Sequence, residues 1–232
     1  MVITIDGPTA SGKSTVARLI AKELGFYYLN TGYLYRAVAY LLINNCSYKD
    51  DDLRNPDPLD LERYLDPNKL IYDYDENYKE RIIFDGQNIT PFLKTSFIDK
   101  GASIISASKI VRELLLQVQR VAAQKFNLVA EGRDTGSVVF PEADIKIYLT
   151  ASVNTRAERW RAEQIEKGNK FSFEEAVNIV KDRDKRDRER EISPLVIPDN
   201  AIVVDDTNLD IRHTRKKVLE LIRETKKIEQ RD

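Results

Sequence analysis

The sequence predicts an α/β fold in which a five-stranded parallel sheet is covered by helices on both faces. Three observations predict it. A glycine-bearing loop, Gly7-Pro8-Thr9-Ala10-Ser11-Gly12-Lys13-Ser14, lies between a short apolar run and a helix-like run. Further short apolar runs recur along the chain with helical patterns between them, as the strands of a buried parallel sheet do. The residues directly after these runs are unusually polar, and ligands of open parallel sheets bind at the strands' carboxyl ends.

The first strand is Val2-Ile3-Thr4-Ile5, ending in Asp6. The loop after it reads G-x-x-x-x-G-K-S, which makes the fold one of the P-loop NTPase type. Its glycines let backbone N–H groups turn inward around a β-phosphate, Lys13 reaches the β/γ oxygens, Ser14 offers a hydroxyl to Mg²⁺, and the next helix presents its positive end. Gly7, Pro8, Thr9, Ala10, Ser11, Gly12, Lys13, Ser14 and Thr15 are therefore the expected contacts of a nucleoside triphosphate. The helix carries Val16, Leu19, Ile20 and Leu24 at helical spacing and stops at Gly25, a favourable residue just past a helix end. A second strand follows over 26–29. After Asn30-Thr31-Gly32 an apolar helical stretch runs to Leu42, with Tyr35 and Arg36 near its start. The remaining strands are expected at Leu128-Val129-Ala130, Ile145-Lys146-Ile147-Tyr148-Leu149 and Ala201-Ile202-Val203-Val204.

Two regions break this pattern. Between about 45 and 94, Asp50-Asp51-Asp52, Asn55-Pro56-Asp57-Pro58 and Asp66-Pro67 mark an inserted lobe. Within it Leu70-Ile71-Tyr72 and Arg81-Ile82-Ile83-Phe84, followed by Asp85-Gly86, read as short antiparallel strands with a tight turn. Residues 155–191, with eleven Lys/Arg against ten Asp/Glu, read as a charged helical hairpin that would serve as a lid. The expected organisation is a core of residues 1–44, 95–154 and 192–232, an inserted lobe at 45–94, and the lid with its basic helix at 155–191.

Bulk properties exclude several classes. With 42% hydrophobic and 32% charged residues, 232 residues can bury one sizeable core, as a soluble globular enzyme does. The net charge of -1 gives no basic surplus for gripping nucleic acid. Cys46 stands alone, no apolar segment has the length of a membrane span, and the N-terminus leads directly into a strand, so the expected location is the cytoplasm. His213, the single histidine, lies in a basic helical stretch and argues against histidine-based zinc or acid–base chemistry.

The strand ends carry the chemistry. The third strand ends in Glu131-Gly132-Arg133-Asp134-Thr135-Gly136, so the rim holds two arginines, Arg36 and Arg133, with several carboxylates. In the charged run 182–190, a helix would place Arg183, Arg186, Asp187 and Arg190 on one face, three guanidinium groups and a carboxylate suited to a phosphate and a sugar hydroxyl. Arg156, Arg159 and Arg161 could reach the same site from a mobile hairpin. There is no guanine-reading Asn-Lys-x-Asp after the phosphate loop. A basic lid around a phosphate loop suits transfer to a small phosphorylated acceptor enclosed away from water.

At these residues the chain resembles the bacterial cytidylate kinases. The resemblance rests on Ile5 to Ser14, Thr31-Gly32 with Tyr35-Arg36-Ala37, Glu131 to Asp134 with Val138-Val139-Phe140-Pro141, Arg183 to Arg190, and Pro194-Leu195. It implies ATP-dependent phosphorylation of CMP and dCMP, with Mg²⁺, by a monomer. Lys13, Arg133 and Arg190 would then carry the transfer, with Arg159 put first among the lid arginines on the reading of the residues rather than on the resemblance. Arg36, Arg133 and Arg190 would bind the acceptor phosphate, Arg183 and Asp187 the pentose, and Thr31, Ser103, Arg112 and Asp134 the cytosine. Cytosine has an N4 donor with N3 and O2 acceptors, so a carboxylate should face N4 and an arginine the acceptors. Thr31 stands where the family often has serine, Glu131 where aspartate is common, and Lys94 where arginine is common. Which of Arg156, Arg159 and Arg161 reaches the transferred phosphoryl group stays open. Two other readings share the loop: a kinase for another small acceptor such as UMP, and a non-enzymatic nucleotide-binding module.

Overall fold

The computed structural model describes residues 1–229. In chain order, strand β1 (Val2–Asp6) leads through the phosphate loop into helix α1 (Lys13–Leu24), β2 (Tyr27–Asn30) and α2 (Thr31–Cys46). Two short helices, α3 (Asp50–Arg54) and α4 (Pro58–Tyr64), precede strands β3 (Leu70–Tyr74), β4 (Glu80–Phe84) and β5 (Gln87–Asn88). Helices α5 (Ser96–Ile105) and α6 (Lys109–Lys125) lead to β6 (Leu128–Gly132), a π-helical turn at Thr135–Val139, and β7 (Ile145–Thr150). The hairpin α7 (Val153–Glu166) and α8 (Phe173–Glu189) is followed by β8 (Ile202–Asp205) and α9 (Ile211–Glu229).

The expected five strands form one parallel sheet in the order β2-β6-β1-β7-β8. Its central members are short apolar runs because both faces are covered: Ile3, Thr4, Ile5 and Asp6 of β1 and all of β6 are buried. In register, Ile3 pairs with Ile145 and Asp6 with Tyr148, which brings the ends of β1 and β7 to one level. The chain divides into two compact units, Met1–Phe26 with Val129–Asp232, and Tyr27–Leu128.

In the first unit, α1 ends at Gly25, whose φ of 66° and N–H bond to the Ala21 carbonyl form the left-handed cap that the sequence signals. Helix α9 packs on α1, with Arg215 and Arg223 on Glu23. The hairpin α7–α8 is joined by its own small core of Ala157, Ala176 and Val180, with Val153, Trp160 and Val177 against it. Ser172 and Glu175 cap α8 reciprocally, satisfying N–H groups that a helix start would leave open.

In the second unit, Asn30 caps α2 by accepting from the Gly32 N–H at 2.9 Å. β3 and β4 pair antiparallel, Leu70 with Phe84 through Tyr74 with Glu80, as the sequence suggests. The Asp85-Gly86 turn joins β4 to β5; both residues have positive φ, 47° and 78°, which a two-residue hairpin turn needs. Asp57 accepts from the Leu59 N–H to start α4 at Pro58.

Candidate active site

The first unit assembles the phosphate loop with the ends of β1 and β6 and with α8. In the loop, Ala10 and Gly12 adopt left-handed φ of 58° and 79°, which turns successive N–H groups toward one concavity. Gly7 is required by space: a Cβ there would lie 2.0 Å from the Leu149 carbonyl oxygen of β7. Lys13 is buried, and its ammonium donates to the Pro8 carbonyl at 3.0 Å. Burial first, then the charge of Arg133, pushes the Lys13 ammonium down to about 7. Ser14 donates to Glu131 Oε1 at 2.9 Å, so the last loop hydroxyl meets the carboxylate at the end of β6.

Arg133 joins three elements. Its Nε donates to Asp187 of α8 at 2.7 Å and its Nη2 to the Thr9 hydroxyl of the loop at 3.2 Å. Burial pushes the Asp187 carboxyl up, but Arg133, Arg183 and Arg190 together hold it below its ordinary value. Arg183 is exposed, yet its charge also acts on Lys13. Arg190 lies 3.6 Å from Asp134 and donates from Nε to the Ser193 carbonyl at 2.5 Å. The expected single helical face is corrected here: α8 ends at Glu189, and Arg190 is its cap in extended conformation. Arg186 is exposed and donates to the Asp182 carbonyl, so it is not part of the Arg133–Asp187 cluster.

Asp6 fixes the turn that carries Arg133 and Asp134. Its two carboxylate oxygens accept from the Thr135 and Gly136 N–H groups at 2.9 and 2.7 Å. Burial pushes its carboxyl up to about 6, against the pull of those two bonds.

The arginines of α7 divide. Arg156 is buried and paired with Asp184 at 2.6 Å. Arg159 grips Asp206 with Nη1 and donates from Nη2 to the Asp206 and Leu209 carbonyls at 3.1 and 3.3 Å. Its guanidinium stands beside the loop, 3.8 Å from where a Gly12 Cβ would be.

In the second unit, Thr31 opens α2 and is buried. Arg36, one turn on, donates to Asp99 at 2.5 Å, and its guanidinium lies 5.8 Å from the Tyr33 ring centre. Lys94 approaches the same ring at 5.7 Å, so two cations lie near one aromatic ring. Arg112 is buried, donates to the Ser106 carbonyl at 2.6 Å and lies 5.2 Å from the Tyr35 ring. Ser103 is exposed on α5, and its carbonyl accepts from the Ser106 hydroxyl.

A phosphate loop backed by guanidinium groups is common to many kinases, and comparison with known proteins narrows the family. The family model for cytidylate kinase matches residues 3–224. The chain belongs to the cytidylate kinase family. A cytidylate kinase of Carboxydothermus hydrogenoformans is 42% identical over 96% of this chain and 97% of its own length. One of Thermodesulfovibrio yellowstonii is 41% identical over 96% and 98%. Among solved structures, an uncharacterized protein from Eubacterium ventriosum shares the fold at TM-score 0.52 and 12% identity, over 96% of this chain and 98% of that one.

Three residues of this family member have site contacts that escaped the sequence reading. Glu131 is expected as one of the rim's carboxylates and as a departure from the family, without the loop partner that the structure gives it in Ser14. Asp184 was absorbed in the charge run, yet Ala176, Val180 and Asp184 are spaced four apart and are the buried residues of α8. Asp6 was read as a strand end without a partner. The oxygen pair of Ser14 and Glu131 suits a hard divalent cation such as Mg²⁺. Among the described residues no group of three or more His, Cys, Asp or Glu forms a metal cage, and no helix is long and apolar enough to cross a membrane.

Proposed function

We propose that the protein transfers the γ-phosphoryl group of ATP to CMP and dCMP, giving CDP and dCDP. The observation that carries this reading is the double engagement of Arg133. One guanidinium holds both Thr9 of the phosphate loop and Asp187 of α8, so a residue suited to an acceptor phosphate is fixed on the donor loop itself. Membership of a kinase family argues against a non-enzymatic nucleotide-binding module.

In this reading the phosphate-loop N–H groups and Lys13 hold the β- and γ-phosphates. Arg133 and Arg190 bind the acceptor phosphate and balance the charge that spreads over the moving phosphoryl group. Asp187 and Arg183 take the pentose. Asp134, already beside Arg190, accepts from the cytosine N4 amino group, where uracil offers only an acceptor and would leave the carboxylate unpaired. The roles of Arg36 on the phosphate and of Thr31, Ser103 and Arg112 on the base rest on the sequence resemblance. Arg159, held on Asp206 beside the loop, is assigned to the donor phosphates. Ser14 and Glu131 would hold Mg²⁺, directly or through its waters, and the ion would neutralise triphosphate charge. No covalent intermediate on the protein is needed, because positioning and charge supply the catalysis.

The test is product formation from Mg·ATP and CMP, with CDP and ADP quantified together. Equal amounts should appear with wild type and none with Lys13→Ala. Undiminished turnover by Lys13→Ala would overturn the assignment of the donor site.

A further inference from the structure

Thr9, in the middle of the phosphate loop, has each of its polar groups held by the lid hairpin or by Arg133. Its N–H donates to Asp184 Oδ1 at 3.1 Å. Its carbonyl accepts from Arg156 Nη1 at 3.0 Å. Its hydroxyl accepts from Arg133 Nη2 at 3.2 Å. Arg156 and Asp184 are themselves paired at 2.6 Å, with side chains only 3% and 7% exposed, and Arg156 Nε is tied to the Ala151 carbonyl. Asp184 and Asp187 are one turn apart on α8, and Asp187 holds Arg133. The contacts therefore close a ring: Thr9 to Asp184, along α8 to Asp187, across to Arg133, and back to Thr9.

A buried ion pair is a costly way to hold two helices together. Removing two charges from water offsets most of their attraction, and an apolar pair of similar volume is often as stable. The apolar solution is already used next to it, where Ala157, Ala176 and Val180 pack without charge. What an apolar pair cannot do is accept one backbone N–H and donate to the adjoining carbonyl of the same residue. Arg156 and Asp184 do both at Thr9, which fixes the loop's backbone to α7 and α8 in orientation as well as in position.

We propose that the Arg156–Asp184 pair, acting through Thr9, couples the donor loop to the acceptor residues on α8 and at Arg133, so that each nucleotide tightens the binding of the other. A triphosphate drawn into the loop shifts its backbone at Thr9; Asp184 carries that shift into α8, and Arg133 into the acceptor-phosphate position. Arg156 and Asp184 are positioning residues: they act on the donor loop through the backbone of Thr9, which belongs to that loop and also holds Arg133. The inference rests on the proposed donor and acceptor sites, and reciprocity follows from linkage: whatever factor the donor adds to acceptor affinity, the acceptor adds to the donor.

The experiment measures the Kd of CMP by calorimetry with and without a non-hydrolysable Mg·ATP analogue. Wild type, Asp184→Asn and the double variant Arg156→Met with Asp184→Leu are compared, with folding checked through Trp160, the chain's single tryptophan, which packs on Phe171 and the α7–α8 core. Wild type should bind CMP about tenfold more tightly with the analogue present. Both variants should lose most of that factor, and their KM for each nucleotide should no longer fall as the other is raised. Should either variant fail to fold, Thr9→Val, which deletes only the Arg133 limb, should reduce the factor, and Thr9→Ser should keep it. Folded variants that retain the wild-type factor overturn the proposal and leave the kinase reading intact, as does a wild-type factor of one. Failure of wild type to bind CMP at all overturns the functional reading, and the coupling with it.

Discussion

Lys13 is a charge that the free protein struggles to keep. Burial, with the guanidinium of Arg133 nearby, pushes its ammonium from the ordinary 10.5 to about 7, which corresponds to ~5 kcal/mol of disfavoured charge. A triphosphate in the loop supplies the negative charge that Lys13 lacks, so donor binding should return the proton. Taking the bound lysine as fully protonated, uptake should be about 0.1 proton at pH 6, about 0.5 at pH 7 and about 0.9 at pH 8. Calorimetric titration of a Mg·ATP analogue in buffers of different ionisation enthalpy measures this directly. In Lys13→Met the pH-dependent uptake should vanish. Zero uptake by wild type at pH 8 would refute the reasoning, because it would mean that Lys13 is already charged in the free loop. The same lowering has a consequence for stability. Between about 7 and 10.5 the unfolded chain holds this proton more tightly than the folded protein, so the Lys13 contribution to stability rises with pH across that window.

Other expected outcomes follow from the turn at the end of β6 and from the carboxylate proposed to read the base. Asp6 has the opposite sign to Lys13: its carboxyl is raised to about 6, so its contribution to stability is full below the ordinary 3.8 and is lost as pH rises through about 6, a difference of ~3 kcal/mol. Thermal unfolding of wild type minus Asp6→Asn between pH 4 and 6 should show that slope, and parallel profiles would contradict it. In Gly136→Ala the new Cβ would stand 2.6 Å from Thr4 Oγ1 and 3.1 Å from Asp6 Oδ2. Thr4 is buried within β1, so the turn must move; a loss of about 1–3 kcal/mol is expected in denaturant melts, and unchanged stability would count against the packing. Asp134→Ala should narrow the CMP-to-UMP ratio of kcat/KM by about tenfold or more, whereas an unaltered ratio would remove Asp134 from base recognition.

The phosphate loop and the sheet were legible because their signals are local. A loop with fixed glycine and lysine spacing needs only its own residues, and short apolar runs such as Leu128-Val129-Ala130 are what strands buried on both faces look like. The Asp85-Gly86 turn was legible for the same reason. What sequence spacing could not give is which charged residues turn inward. The run 182–190 alternates sign at nearly every position, so any helical face through it bears charge. Only the packing of Ala176 and Val180 shows that Asp184 continues the inner stripe. Arg190 was placed on the helix because nothing at Arg190 itself breaks a helical pattern, whereas the chain leaves the helix after Glu189. Arg156 and Arg159 are three apart on α7, and spacing alone does not say where either ends. One ends in the core on Asp184 and the other on Asp206, a distinction set by partners 28 and 47 residues away in sequence.

The most direct test of the central claim is ADP release from Mg·ATP with CMP, dCMP, UMP, AMP and GMP supplied one at a time. Rapid turnover with CMP and dCMP and little with the other three is the expected result; release with none of them would contradict the assignment of this protein as a nucleoside monophosphate kinase.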